Sequence, residues 1–256
     1  MGHRVLTARG ASRHWRLAAS LRDARGQRPL GGRAFGASLG FLIVIFVLAG
    51  VAYAGGGRIV GKVMVTEPDG KPANAADVIV YVVGFDEPPD DHAPPVKIVQ
   101  KDRKFTPDLV AITVGESVSF PNGDAFLHNV FSESPARRFD LGSFKKGDTK
   151  SKDFPTAGVI DVYCNIHPEM AATILVLPNR KHVRTKPDGS YEIAGVPPGT
   201  WTVFAYTRRA PKPAQAKVTV TAGQDAPLDL ALQRGTEGEH LNKYGEKYHD
   251  AGGTYR

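Results

Sequence analysis

The sequence predicts an all-β fold. Three observations carry this: short segments of alternating apolar and polar residues recur over 58–232, clusters of Gly, Pro, Asn and Asp separate them, and no long stretch has helical periodicity. At 256 residues, with 41% hydrophobic and 23% charged composition, the chain can bury a substantial core and has room for about two domains.

Taken in order, the candidate strands begin with 58–66 and 77–83. A second group follows at 109–114, 117–121, 159–164 and 172–177, and a third at 190–193, 200–206, 216–221 and 228–232. Their edges carry turn chemistry, as in Pro68-Asp69-Gly70, Pro187-Asp188-Gly189 and Pro197-Pro198-Gly199. Two joints divide the groups. Residues 87–95, with Pro88, Pro89, Pro94 and Pro95, read as a stiff polar connector. Residues 178–186, with Arg180, Lys181, His182 and Arg184, read as a looser basic one. The span between them, 97–178, has the length of one small β-sandwich.

The flanking strands need partners. A lone hairpin within 58–84 is marginal in water, and the strands within 184–232 would leave open edges. The expectation is that 58–84 and 184–232 pair into one discontinuous sandwich, with 97–178 inserted between its second and third strands. The alternative is that the first two strands add to the central unit. Residues 233–256 are polar and glycine-dotted, which suits a mobile tail or a strap over the surface, with His240 and His249 solvated.

The formal net charge of +7 would suggest a nucleic-acid partner if it lay on the folded body. It lies in residues 1–54 instead, where Arg4, Arg9, Arg13, Arg16, Arg22, Arg25, Arg28 and Arg33 stand against Asp23 alone. The neutral remainder gives no basis for a DNA- or RNA-binding surface. An apolar run over 39–51 follows the arginines, and Ala52-Tyr53-Ala54 precedes Gly55-Gly56-Gly57. Basic region, short apolar core and small-x-small end form an export signal, with cleavage after Ala54 and a periplasmic or otherwise exported product. The charge-free stretch 34–57 could also serve as an uncleaved anchor, and the membrane would then be met only through this segment. An Arg-rich organellar transit peptide is the third reading. No Arg-Arg pair precedes the apolar run, so a twin-arginine signal is not supported.

Export makes the cysteine usage informative. Proteins of oxidising compartments pair their cysteines, yet Cys164 is the only one here. A free thiol in such a place is oxidised unless it is buried or bound.

Its neighbours supply a reason for it. Tyr163-Cys164-Asn165-Ile166-His167-Pro168-Glu169-Met170 lies between two candidate strands, so C-x-x-H-x-x-M falls in a tight loop at a sandwich end. A loop can turn its side chains towards one point, where a strand would alternate them. Thiolate, imidazole and thioether are soft or intermediate donors that suit copper, and two His, one Cys and a long axial Met make the blue-copper set. His128 supplies the second imidazole, since it follows a strand and the Pro121-Asn122-Gly123 turn. Asn129 beside it is placed to tie the two loops by hydrogen bonds. Singly, Met170 would be packing filler, His128 a satisfied histidine and Cys164 a small buried hydrophobe. Together in one exported β-protein they predict one mononuclear copper site.

The segments F-P-N-G-D-A-F-L-H-N-V-F and Y-C-N-I-H-P-E-M resemble the cupredoxin family, nearest to its plastocyanin and amicyanin members and to plastocyanin-like bacterial proteins sometimes labelled methylamine utilisation proteins. The resemblance covers about residues 97–178. It implies a Greek-key β-sandwich holding one type 1 copper ion on His128, Cys164, His167 and Met170. It further implies that His167 lies near the surface, with Phe126, Leu127, Ile166 and Pro168 as an apolar docking rim. The flanks resemble the carboxypeptidase regulatory-like domain, a transthyretin-like sandwich, through Gly61-Lys62-Val63, Asp69-Gly70-Lys71-Pro72, Asp188-Gly189-Ser190-Tyr191 and the run from Val196 to Trp201. That resemblance implies a structural or binding role and names no catalytic residue.

Ligand counting excludes a thiolate-bridged binuclear copper site, which needs two cysteines, and a zinc ribbon, which needs more Cys or His. A Cys-His hydrolase lacks an orienting third group here. The leading expectation is one-electron transfer to and from an unidentified redox partner protein, with no enzymatic step. Copper delivery without electron transfer, or a structural envelope role, are the alternatives.

Overall fold

The computed structural model describes residues 55–236 and 238–248, so the segment expected to direct export, and His249, lie outside the described residues. All regular elements among them are strands. In chain order these are β1 (Gly57–Thr66), β2 (Ile79–Val83), β3 (Val96–Lys97), β4 (Val99–Lys101), β5 (Lys104–Thr106), β6 (Leu109–Thr113), β7 (Ser117–Pro121), β8 (His128–Ser132) and β9 (Phe139–Phe144). They continue with β10 (Thr149–Asp153), β11 (Gly158–Tyr163), β12 (Ala171–Leu177), β13 (His182–Arg184), β14 (Ser190–Val196), β15 (Gly199–Tyr206), β16 (Ala214–Val220), β17 (Asp225–Pro227) and β18 (Leu230–Gln233). The all-β expectation holds.

A five-stranded sheet, β6-β12-β11-β8-β9, faces a three-stranded sheet, β10-β7-β3. Side chains alternate across each strand, so one face of each sheet can turn inward. Val110, Ile112, Val130, Ile160, Val162 and Ile174 from the larger sheet meet Val118 and Phe120 from the smaller one in a shared apolar core. The β4–β5 hairpin packs beside this sandwich, with Phe105 in the same core.

A second pair of sheets is built from both flanks of the chain. β1 pairs antiparallel with β14 and parallel with β17 and β18, while β2 pairs antiparallel with β13 and β15. Ile59, Val63, Val80 and Val82 therefore share a core with Ile193, Val203, Val218 and Leu230. The chain departs from this core after β2 and returns before β13 at one place. There the Glu87 N–H donates to the Pro178 carbonyl at 2.9 Å, and the Arg180 N–H donates to the Glu87 carboxylate at 3.0 Å. The buried Asn179 amide donates to the carbonyls of Val82 at 3.0 Å and Phe85 at 2.9 Å. The joint expected to be loose at 178–186 is thus tied down and contains β13, because His182–Arg184 complete the otherwise open edge of β2.

Strand period also explains how the two cores meet. On β12, Ala172, Ile174 and Val176 enter the central core, while Leu175 and Leu177 point the other way. On β2, Val80 and Val82 enter the flanking core, while Ile79 and Tyr81 point out. The outward residues form a third cluster with Leu109, and Tyr81 stacks on Phe204 at 5.3 Å. Strands buried on both faces read as continuous apolar runs, which is what Ile-Val-Tyr-Val-Val and Ala-Ala-Thr-Ile-Leu-Val-Leu are.

Candidate metal centre

Two segments at the same end of the central sandwich bring the chemistry together. The first follows β7. Asn122 is buried and fixes the turn: its side-chain amide donates to the carbonyls of Phe126 and Phe144, both at 3.0 Å, and its Oδ1 accepts the Asp124 N–H at 2.8 Å. The chain then enters β8, whose five residues from His128 to Ser132 are all buried. His128 is thereby carried into the interior. The second segment joins β11 to β12 and closes on itself, with the Cys164 N–H donating to the Met170 carbonyl at 3.2 Å and the Met170 N–H to that of His167 at 3.1 Å.

The donor atoms converge. Nδ1 of His128 lies 3.1 Å from Nδ1 of His167, and that nitrogen lies 3.8 Å from Sγ of Cys164. One donor atom from each of the three lies within 4.8 Å of the others. His128, Cys164 and Met170 are 0% exposed, and His167 is half-buried. Met170 sits at the closing end of the loop, in the same apolar core as Cys164.

Asp124, which the sequence reading did not single out, fixes the orientation of His128. Its Oδ2 lies 2.8 Å from Nε2 of His128, and a carboxylate can only accept, so Nε2 is the donor and Nδ1 is the nitrogen that faces Cys164 and His167. The same carboxylate accepts the N–H groups of Asp102 at 2.9 Å and Arg103 at 3.2 Å, and the Lys101 ammonium lies 3.3 Å away. Asp102 and Arg103 form the two-residue turn of the β4–β5 hairpin, with φ of 53° and 55°. That left-handed turn suits a twisted hairpin but disfavours side chains, and the two bonds to Asp124 hold it. Burial acts to raise the Asp124 carboxyl, yet the donors from His128, Asp102, Arg103 and Lys101 outweigh it and keep the group well below the usual carboxylate range.

The other candidate ligands are prepared by their surroundings. Burial, and next the neighbouring His128, lower the tendency of His167 to protonate, which favours the neutral ring a metal requires. Burial pushes the Cys164 thiol up, while the N–H groups of Asn129, Ile166 and His167 work against it by stabilising the thiolate. Asn129 also bridges the two segments: its Oδ1 accepts the Asn165 N–H at 3.3 Å and its amide donates to Asp140 at 2.7 Å.

Of the residues named for the rim, Phe126 lies against His167, and Ile166 and Pro168 flank it in the chain. Phe126 is 41% and Leu127 52% exposed, Pro168 is exposed, and Ile166 is half-buried against the core. The Phe126 ring lies 5.2 Å from that of His128 and 5.4 Å from that of His167. His240 departs from expectation: rather than being solvated, its ring stacks on Tyr163 at 4.1 Å. A polar tail gives no periodicity from which such docking could be read, although Tyr244 and Tyr248 are uncommon in a solvated tail. Asp124 did leave a signal, a carboxylate four residues before a candidate ligand within a tight turn.

A first-row metal bonds nitrogen and sulfur at about 2.0–2.3 Å, so donors this close can share one ion. Imidazole, thiolate and a buried thioether on the same loop form a donor set that fits copper.

No protein-family model matches the chain, and no curated protein matches it. Similar solved structures include a mutant of amicyanin with Cu(I), at 21% identity over 38% of this chain and 97% of that one, with a TM-score of 0.31. A purple cupredoxin from Nitrosopumilus maritimus aligns at 24% identity over 32% of this chain and 98% of its own, with a TM-score of 0.29. A copper-containing nitrite reductase from Thermus scotoductus SA-01 aligns at 24% identity over 37% of this chain and 27% of its own, with a TM-score of 0.32.

Proposed function

We propose that the chain is a type 1 (blue) copper protein of the cell envelope, carrying one electron at a time through a mononuclear site on His128, Cys164, His167 and Met170. The observation that carries this reading is the convergence of His128 Nδ1, His167 Nδ1 and Cys164 Sγ within 4.8 Å, with His128 and Cys164 fully buried. Copper held there would supply reversible one-electron chemistry between Cu(II) and Cu(I).

The chain's own residues do the positioning. Asp124 fixes the ring of His128, and Asn129 beside it holds the second segment through the Cys164 sulfur and the Asn165 N–H. A site whose supports are already formed reorganises little when its charge changes, which favours fast electron exchange. Phe126, Leu127, Ile166 and Pro168 form the rim on which a redox partner protein would dock, beside His167. In this reading the chain is a carrier rather than an enzyme. Delivery of copper to another protein calls for ligands that solvent or a partner can reach, and the burial of His128, Cys164 and Met170 favours the carrier.

In this reading residues 1–54 direct export, with cleavage after Ala54, and the copper site functions in the periplasm. The flanking strands form a carboxypeptidase regulatory-like, transthyretin-like sandwich that supports the copper unit. The test is to load the exported part with Cu(II), then mix it in stopped flow with ascorbate and afterwards with ferricyanide. A carrier bleaches and recovers its thiolate-to-copper band over repeated cycles. Copper that is reduced once and lost to a chelator would instead indicate delivery.

A further inference from the structure

Residues 238–248 lie against the ligand loop and touch three consecutive positions of it. His240 stacks on Tyr163, with ring centroids 4.1 Å apart and planes 15° apart. The Tyr248 hydroxyl donates to the Cys164 carbonyl at 2.8 Å, and the Lys243 N–H donates to Asn165 Oδ1 at 3.0 Å. The Lys243 ammonium reaches Asp140 at 2.8 Å. Asp140 in turn accepts from the Asn129 side chain, whose own oxygen accepts the Asn165 N–H. The contacts close a circuit beside the cysteine through Asn129, Asp140, Lys243 and Asn165, and Tyr248 adds a bond to the cysteine's own carbonyl.

The segment is shaped for this place. Asn242 organises a turn by accepting the N–H groups of Tyr244 at 2.9 Å and Glu246 at 3.0 Å, with Gly245 at φ +78°. Yet none of its described residues enters any of the apolar cores, and Leu241 and Tyr244 stay 49% and 70% exposed. A segment that buries little apolar surface adds little to folding. Directional hydrogen bonds aimed at one loop instead fix its geometry.

We propose that residues 240–248 are a strap that positions the Cys164 sulfur for copper, with Tyr248 and Lys243 as its positioning residues. This rests on the copper reading given above. The strap holds the Cys164 carbonyl and the side chains of Tyr163 and Asn165 on either side of it, so its loss should loosen the copper–thiolate bond while the two cores stay folded.

The experiment compares the full chain with Tyr248→Phe, Lys243→Met and the double variant, each loaded with Cu(II). In the double variant the thiolate-to-copper band is expected to shift and broaden, and copper to pass to a chelator about tenfold faster, in line with the loss of outer hydrogen-bond partners at metal sites. Thermal unfolding of the metal-free protein should hardly move. An unshifted band with unchanged release overturns the proposal. So does faster release that is matched by lost apoprotein stability while the band stays in place. A band missing from the unmodified chain removes the copper reading and the strap with it; a normal band there and unaltered variants remove the strap alone.

Discussion

Nε2 of His128 and Oδ2 of Asp124 face each other at 2.8 Å, with neither side chain more than 4% exposed. This one bond decides which nitrogen of His128 faces Cys164 and His167. Replacing Asp124 by Ala strands that N–H and those of Asp102 and Arg103 together. The expected result is a loss of about 3 kcal/mol in denaturant unfolding of the metal-free protein, and about tenfold weaker copper binding in a chelator competition.

Met170 is buried in the same core as Cys164, so Met170→Leu keeps volume and apolarity and should cost under about 1.5 kcal/mol. A thioether donor stabilises Cu(II), the more electron-poor state, and its removal should raise the reduction potential. Spectroelectrochemical titration of both proteins checks this; an unchanged potential would mean that Met170 only packs.

Leu175 and Ile174 are neighbours on β12 that point to opposite faces. Leu175→Ala opens a cavity between the two cores and should cost about 2–4 kcal/mol. Its copper spectrum should match the unmodified protein, because the side chain points away from the core that contains Cys164 and Met170.

His182 lies on β13, where burial holds its imidazole below the ordinary value while the Glu116 carboxylate pulls the other way. The unfolded ring titrates near about 6.5, so below that value the unfolded state binds more protons and stability falls with pH. The contribution is complete above about pH 7 and is lost as pH drops through about 6.5 towards the folded value. Urea midpoints of the metal-free protein at two pH values should therefore diverge less in His182→Gln than in the unmodified chain.

Much of the fold was legible because its signal is local. Alternation marks β1, β7, β11 and β15 in the sequence, and turns rich in Pro and Gly mark their ends. What was missed lacks that signal. β10 reads Thr-Lys-Ser-Lys-Asp and has no apolar face, and β13 and β17 are three residues long and exist through pairing to β2 and β1. β8 packs its five residues into the interior, so His-Asn-Val-Phe-Ser shows no alternation. The candidate ligands were legible because donor chemistry and spacing restrict the choice. Asp124 left only its spacing, a carboxylate four residues before His128 in a tight turn, and the segment carrying Tyr248 left nothing, since a hydrogen bond to a backbone carbonyl imposes no pattern on the sequence.

The central claim is that Cys164 binds copper as a thiolate together with His128 and His167. Cu(II) titrated into the purified protein should produce an intense blue absorption that saturates at one copper per chain, and Cys164→Ser should abolish it. Weak absorption without the thiolate band, or a band that persists in Cys164→Ser, would contradict the account.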